Sequence, residues 1–299
     1  MPLHLRGLIA APFTPLTADG ELNLPAVAAQ HASLRAHDVS GAFVCGTAGE
    51  FSSLTPDERT ALAARWRDVA SADFPLIVNV TDNAQATAIR LAAQAKQIGA
   101  TAIACMAPCY LKPQSAADVA AFVGPVAAAA APLPFFYYHF PAMTGVPIPL
   151  YDALDAIDAP TLAGAKFSGT DLSDLARCFD AFAERLDVLL GNEALLLHAL
   201  ALGGRAFVGA TFNFAAPMYR RLIDAFDSGD SVAARAEQSH AADLLRICES
   251  FGGLRAWKAI TAATGIDPGP VRPPLRPMGA DERARLFEAL GHRGFARPV

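Results

Sequence analysis

Lys166 sits inside an apolar run, Leu162-Ala163-Gly164-Ala165-Lys166-Phe167-Ser168, and it is one of only four lysines in a chain with 20 arginines. A run of this kind is expected to be a buried strand, and burial disfavours the ammonium form because water no longer solvates it. A neutral amine is what attack on a carbonyl to form an imine requires. The competing reading is a lysine at a strand end that pairs with a carboxylate or extends its head to water.

Other polar side chains recur at the ends of similar runs. Thr47 follows Gly41–Gly46, Tyr110 follows Ala102–Pro108, and Tyr138 lies near the end of Pro134–Phe140. Ser168 ends the lysine's own run, and Asn192 and Glu193 close the one that starts at Asp187. One amine, two phenols and two hydroxyls, with no cluster of metal ligands, suit carbonyl chemistry through an imine in which a phenol moves protons. Each residue also has a plain structural reading. A tyrosine in an apolar strand is commonly a core residue with its hydroxyl satisfied. Gly46-Thr47-Ala48-Gly49-Glu50 is either a tight turn or a set of N–H groups aimed at a carboxylate. His139 and His198 lie in no metal or triad spacing and read as structural.

The elements that must position these residues form a regular series. Eight short apolar runs start at Gly7, Gly41, Pro75, Ala102, Pro134, Leu162, Asp187 and Ala206. They are continuously apolar, as parallel strands covered on both faces are. Between them lie amphipathic stretches such as Pro56–Ala70 and Ala84–Ile98, with helix starts signalled at Thr55-Pro56-Asp57-Glu58 and Ser115-Ala116-Ala117-Asp118. The alanine run 127–131, bounded by Pro125 and Pro132, reads as the end of a helix. Eight such repeats predict a (β/α)8 TIM barrel over residues 1–225, in which chemistry gathers at the carboxyl ends of the strands. An open doubly wound sheet would need a glycine fingerprint after its first strand, and Ala11-Pro12-Phe13-Thr14-Pro15 has none. Residues 226–299 turn purely helical (Ser231–Phe251, Gly253–Thr264, Ala280–Leu290), with a proline-rich connector at Pro268–Pro277, and predict a helical appendage.

Composition narrows the class. A net charge of −5 gives no electrostatic case for nucleic acid or an anionic membrane. No apolar stretch reaches the ~20 residues that span a bilayer. The five cysteines are scattered, and Cys105 and Cys109, nearest to a metal spacing, lack a second pair. Met1–Arg6 runs into strand-like sequence without a charged-then-apolar leader, so the expected location is the cytoplasm.

Taken together, the segments resemble the family of Schiff-base (class I) aldolases that includes dihydrodipicolinate synthase and N-acetylneuraminate lyase, nearly end to end. Gly46-Thr47-Ala48-Gly49-Glu50 is similar to the family's GTTGE or GSTGE carboxylate loop. Tyr137-Tyr138-His139-Phe140-Pro141-Ala142-Met143-Thr144-Gly145 looks like its tyrosine strand, and Gly164-Ala165-Lys166-Phe167-Ser168 like its lysine strand. The stretches 137–146 and 166–172 are most similar to the neuraminate lyase branch. Met143 stands where the synthase branch has an arginine that grips a second carboxylate.

The resemblance implies a lyase that joins or splits pyruvate and an aldehyde. Lys166 forms the imine, Tyr138 moves protons, and Thr47 and Ala48 hold the substrate carboxylate with help from Ser168. Tyr110 resembles a phenol shared with a neighbouring subunit of a homotetramer. No metal or cofactor is implied. Rival outcomes on the same residues are dihydrodipicolinate synthesis, a 2-oxo acid dehydratase or deaminase, and a non-catalytic 2-oxo acid sensor.

The sugar-reading positions depart from the pattern. Ala48 replaces the loop's second hydroxyl. Gly191-Asn192-Glu193-Ala194 keeps one acid of two, and Ala210 stands where a serine is expected. With Phe207, Phe212 and Phe251 expected close by, the distal pocket is predicted to be less polar than a sialic-acid site.

Overall fold

The computed structural model describes residues 3–295. Eight parallel strands close in sequential order into a barrel: β1 Gly7–Ala10, β2 Gly41–Val44, β3 Leu76–Asn79, β4 Ala102–Cys105, β5 Phe135–His139, β6 Leu162–Phe167, β7 Asp187–Leu190 and β8 Ala206–Gly209. The eight apolar runs each contain one strand, so the predicted (β/α)8 barrel is the observed fold. Most runs overshoot their strand at the carboxyl end. The surplus residues, among them Thr47's neighbour Gly46, Ser168 and Thr211, form the rim of the barrel, where side chains are buried without ladder pairing.

Strand alternation divides the core in two. Ile9, Phe43, Ile77, Phe136, Tyr138 and Val208 fill the barrel interior. Leu8, Val44, Phe135, Tyr137, Phe167 and Phe207 pack outward under the helices. A bulge interrupts this alternation where β5 meets β6. Phe135 pairs with Leu162 but Phe136 pairs with Gly164, so Ala163 is the extra residue. From there Tyr138 lies opposite Lys166. In an unbulged ladder Tyr138 would face Ala165, and the lysine would point to the helix layer, because one residue of slip exchanges the two faces. Gly164 is required at this bend, since a Cβ there would collide with Asp187 O and lie 2.8 Å from the Phe136 ring.

The helices are α1 Val27–Ala36, α2 Pro56–Val69, α3 Gln85–Gln97, α4 Ala116–Ala130, α5 Pro141–Thr144, α6 Leu150–Ala156, α7 Leu172–Phe182, α8 Leu196–Ala201 and α9 Phe212–Asp227 around the barrel, then α10 Ser231–Ser250, α11 Leu254–Ala263 and α12 Ala280–His292. Both expected starts are full capping boxes, Thr55 with Glu58 and Ser115 with Asp118. The alanine run does end α4, but Pro125 lies inside that helix rather than bounding it. Proline cannot donate to the carbonyl four residues back. Gln85 Nε2 from α3 does so instead, donating to Ala121 O at 3.1 Å and to Phe122 O at 2.9 Å.

The last barrel helix, α9, continues two residues past the expected boundary at 225, and the extension proper begins with α10, which packs along α9. The connector Pro268–Pro277 is non-helical as expected, and positions 296–299 of the expected extension lie outside the described residues. No described helix is long and apolar enough to cross a membrane.

Candidate active site

The paired strands β5 and β6 bring the phenol and the amine together inside the barrel mouth. Lys166 is 4% exposed. Its Nζ lies 4.1 Å from the centre of the Tyr138 ring and 4.3 Å from that of Phe43. Among the described residues it has no hydrogen-bond or ion-pair partner. An amine enclosed by ring faces with no polar partner, keeping only slight access to the barrel mouth, is costly in a structure that only needs to be stable. The alternative reading of a strand-end lysine paired with a carboxylate therefore does not describe it.

Tyr138 is fixed on every side. Its ring stacks on Phe140 at 5.9 Å and meets Phe43 edge-on at 5.3 Å. Its hydroxyl shares a hydrogen bond of 3.2 Å with Thr47 Oγ1. Residue types commonly found in a core here carry a Thr47–Tyr138 hydrogen bond on a ring whose face lies against the lysine head.

Thr47 belongs to a turn held between two residues in the left-handed region, Cys45 (φ 56°) and Glu50 (φ 54°). Each such non-glycine conformation costs about 1 kcal/mol or more and persists only when its surroundings dictate it. At the first, Asn79 Nδ2 donates to Cys45 O at 2.7 Å. In the middle, Thr14 Oγ1 donates to Gly49 O at 2.5 Å. The turn's own bonds run from Glu50 N to Thr47 O and from Phe51 N to Gly46 O. The N–H groups of Thr47 and Ala48 donate to no protein acceptor among the described residues. Two free N–H groups beside a hydroxyl form a concavity for an anion, so the turn is more than a chain reversal.

The ends of β6 to β8 complete the rim. Ser168 Oγ donates to Gly191 O at 3.1 Å. A Cβ on Gly191 would collide with Ser168 Oγ and come within 2.8 Å of Lys166 Cε, so only glycine leaves the lysine its place. Glu193 is half-buried, and its Oε1 accepts from Thr211 N at 3.2 Å and from Thr211 Oγ1 at 3.1 Å. With its own proton directed at Glu193, Thr211 Oγ1 accepts from Tyr219 Oη at 2.8 Å, and burial raises that phenol's pKa well above its ordinary value. One carboxylate oxygen of Glu193 thus ties β7 to β8. Gln238 of α10 braces the same turn, donating through Nε2 to Glu193 O at 3.2 Å and accepting from Leu197 N at 2.8 Å. Ala48 and Ala210 are buried in the interior apolar cluster with Tyr138 and Phe43.

One expectation is corrected and another narrowed. Phe207, Phe212 and Phe251 belong to the packing layer between strands and helices, because strand alternation turns Phe207 outward and the two others sit among helix contacts. Tyr110, expected at a neighbouring subunit's site, is 86% exposed in the single chain, next to Leu111 at 84%. The reading of Glu193 as free to meet substrate is narrowed by its bonds to Thr211. His139 is structural as expected, stacked on Phe167 at 5.5 Å with its pKa lowered to about 4 by burial, whereas His198 is simply exposed. Sequence reasoning passed over Glu50 and Lys258, which form a buried ion pair behind the turn. The scarcity of lysine that drew attention to Lys166 applies equally to Lys258. No three His, Cys, Asp or Glu side chains converge as a metal site among the described residues.

Comparison with known proteins gives a consistent result. The profile of the dihydrodipicolinate synthetase family matches residues 4–293. N-acetylneuraminate lyase of Danio rerio is 38% identical over 294 residues, covering 96% of this chain and 95% of the relative. The structure of Proteus mirabilis N-acetylneuraminate lyase superposes with a TM-score of 0.94 at 33% identity, covering 98% of this chain and 99% of that one. The native N-acetylneuraminate lyase (sialic acid aldolase) of Aliivibrio salmonicida gives 0.94 at 33% identity, covering 98% of each chain.

Proposed function

The chain belongs to the dihydrodipicolinate synthetase family, and from that premise we propose that it is a pyruvate-dependent aldolase, a carbon–carbon lyase working through an imine on Lys166. The observation that carries this reading is the buried Lys166 amine, free of polar partners, beside the Tyr138–Thr47 hydrogen bond.

A 4-hydroxy-2-oxo acid enters with its carboxylate on the Thr47 and Ala48 N–H groups and Thr47 Oγ1, with Ser168 nearby. The Lys166 amine adds to the C2 ketone, Tyr138 gives its proton to the departing hydroxyl, and loss of water leaves a protonated imine beside a phenolate. The faces of Phe43 and Tyr138 suit that cation, since a ring face attracts positive charge. Tyr138 takes the proton from the C4 hydroxyl, the C3–C4 bond breaks, and its electron pair flows into the iminium to give an enamine and an aldehyde. Protonation at C3 and hydrolysis release pyruvate and restore the amine. The imine is the electron sink, so the cycle calls on no metal or organic cofactor. Borohydride in the presence of pyruvate should fix a reduced pyruvyl adduct on the Lys166 peptide, read by mass spectrometry. Failure to trap under conditions that trap a known relative would overturn the imine.

The aldehyde half should be shorter or less polar than an N-acetylated hexose. Ala48, Ala194 and Ala210 offer no side-chain hydrogen bonds, and one oxygen of Glu193 already serves Thr211. Each hydrogen bond missing to a buried substrate hydroxyl costs on the order of 1 kcal/mol, a factor of several in rate. N-acetylneuraminate is therefore expected to be a poor substrate, with kcat/KM below that of shorter 4-hydroxy-2-oxo acids. A value equal to or above theirs means the pocket reads the sugar by other groups.

The working form is a homotetramer. Tyr110 and Leu111 form an apolar, fully presented turn on the catalytic rim, touching the Met143–Gly145 segment through Lys112. A second copy seated there would cover both and bring the Tyr110 phenol toward its own rim. Light scattering should return the mass of four chains, and monomer alone at assay concentrations removes Tyr110 from the mechanism.

A further inference from the structure

Glu50 ends the anion-binding turn, and its side chain leaves the barrel for the helical extension. Oε1 lies 2.7 Å from Lys258 Nζ of α11, not aligned as a hydrogen bond, and Oε2 accepts from Arg272 N at 2.9 Å. Lys258 Nζ also donates to Pro270 O at 2.6 Å. The two side chains are 3% and 4% exposed. Arg272 is itself pinned to the barrel, its guanidinium bonding Glu58 Oε1 at 2.6 Å, Gly20 O at 2.8 Å and Ser53 O at 3.0 Å.

A buried ion pair is a weak source of stability, because desolvation of both charges offsets their attraction. What such a pair supplies is a defined place for the backbone that carries it. Here that backbone is Glu50, in the left-handed region at φ 54°, three residues after Thr47. The turn bond from Glu50 N to Thr47 O ties the held residue to the peptide that carries the Ala48 N–H. At the opposite end of the turn Cys45 is fixed from within the barrel by Asn79. The turn is therefore clamped at one end by the barrel and at the other by the C-terminal helices.

We propose that the Glu50–Lys258 pair is a positioning device that sets the Thr47 and Ala48 N–H groups to receive the substrate carboxylate, which makes the C-terminal extension a working part of the 2-oxo acid site. This rests on the aldolase reading above.

The test compares two ketones under borohydride, pyruvate and methyl pyruvate, which keeps the ketone but lacks the carboxylate. The proteins are the native chain, Lys258→Met, Glu50→Gln and the double variant, with far-UV circular dichroism reporting the fold. For the variants, the pyruvate concentration giving half-maximal Lys166 adduct should rise on the order of tenfold to a hundredfold, the scale set by displacement of a positioning group. That for methyl pyruvate should stay near the native value. A merely structural role would weaken both ketones alike. Equal loss for both, or no loss for either, overturns the proposal. Where a single variant leaves an unpaired buried charge and fails to fold, the double variant removes both charges and decides the matter. A folded double variant with native preference for pyruvate overturns it as well. Absence of any adduct in the native chain strikes the imine itself, a result separate from these.

Discussion

Replacing Lys166 with alanine is expected to reduce turnover by about 10⁴-fold or more, the scale on which removal of a nucleophile acts, while the protein still folds. The energetic terms of the exchange oppose each other. The lysine stem loses up to about three buried methylenes, each contributing roughly 0.8 kcal/mol. Against this, a poorly solvated amine without a polar partner disappears, which offsets part of that loss. The melting temperature should therefore move by only a few degrees. Lys166→Arg should be as inactive, because a guanidinium with pKa above ~12 offers no lone pair. It would also crowd Gly191, which already lies close against the lysine's Cε. Pyruvate release measured against a melting curve separates loss of chemistry from loss of fold. Appreciable activity in either variant moves the nucleophile elsewhere.

Tyr138→Phe isolates the proton carrier. The ring stays packed on Phe43 and Phe140, and only the hydroxyl bonded to Thr47 is lost. General acid–base catalysis contributes about 10²–10⁴-fold, so kcat should fall by that much. The adduct with pyruvate should still form, more slowly, since the amine and the turn are intact. A kcat within a few fold of native would give the proton to another group or to water.

How much of this was legible in the sequence follows from the range over which each signal acts. The eight strands were plain because burial on both faces leaves a continuous apolar run. Lys166, Tyr138 and Thr47 were legible because a polar group at the end of such a run is conspicuous. The bulge at Ala163 was not, since alanine and glycine in a strand look alike whichever of them is the extra residue. The facing of Phe207, Phe212 and Phe251 was lost for the related reason that composition does not show which side of a sheet or helix a ring takes. Tyr110 was assigned to another subunit's site by resemblance, and the single chain leaves it outside its own. The Glu50–Lys258 pair joins residues from the second strand's turn and the penultimate helix, a distance at which no local pattern speaks.

The bulge makes the lysine a matter of parity. Between their first paired residues and the site, β6 spends one residue more than β5 to reach the same height. Deleting Ala163 alone would straighten the ladder and leave Lys166 opposite Tyr138, whereas deleting two residues between Leu162 and Lys166 would leave β6 one short and turn the amine into the helix layer. One inserted residue carried through the ladder would do the same, setting the amine opposite His139. Point substitution is confined here as well, because even a Cβ on Gly164 would meet Asp187 O. A change of length in this stretch keeps the nucleophile facing the site only where it removes the bulge itself, so a strand one residue shorter here would still present its lysine to the tyrosine.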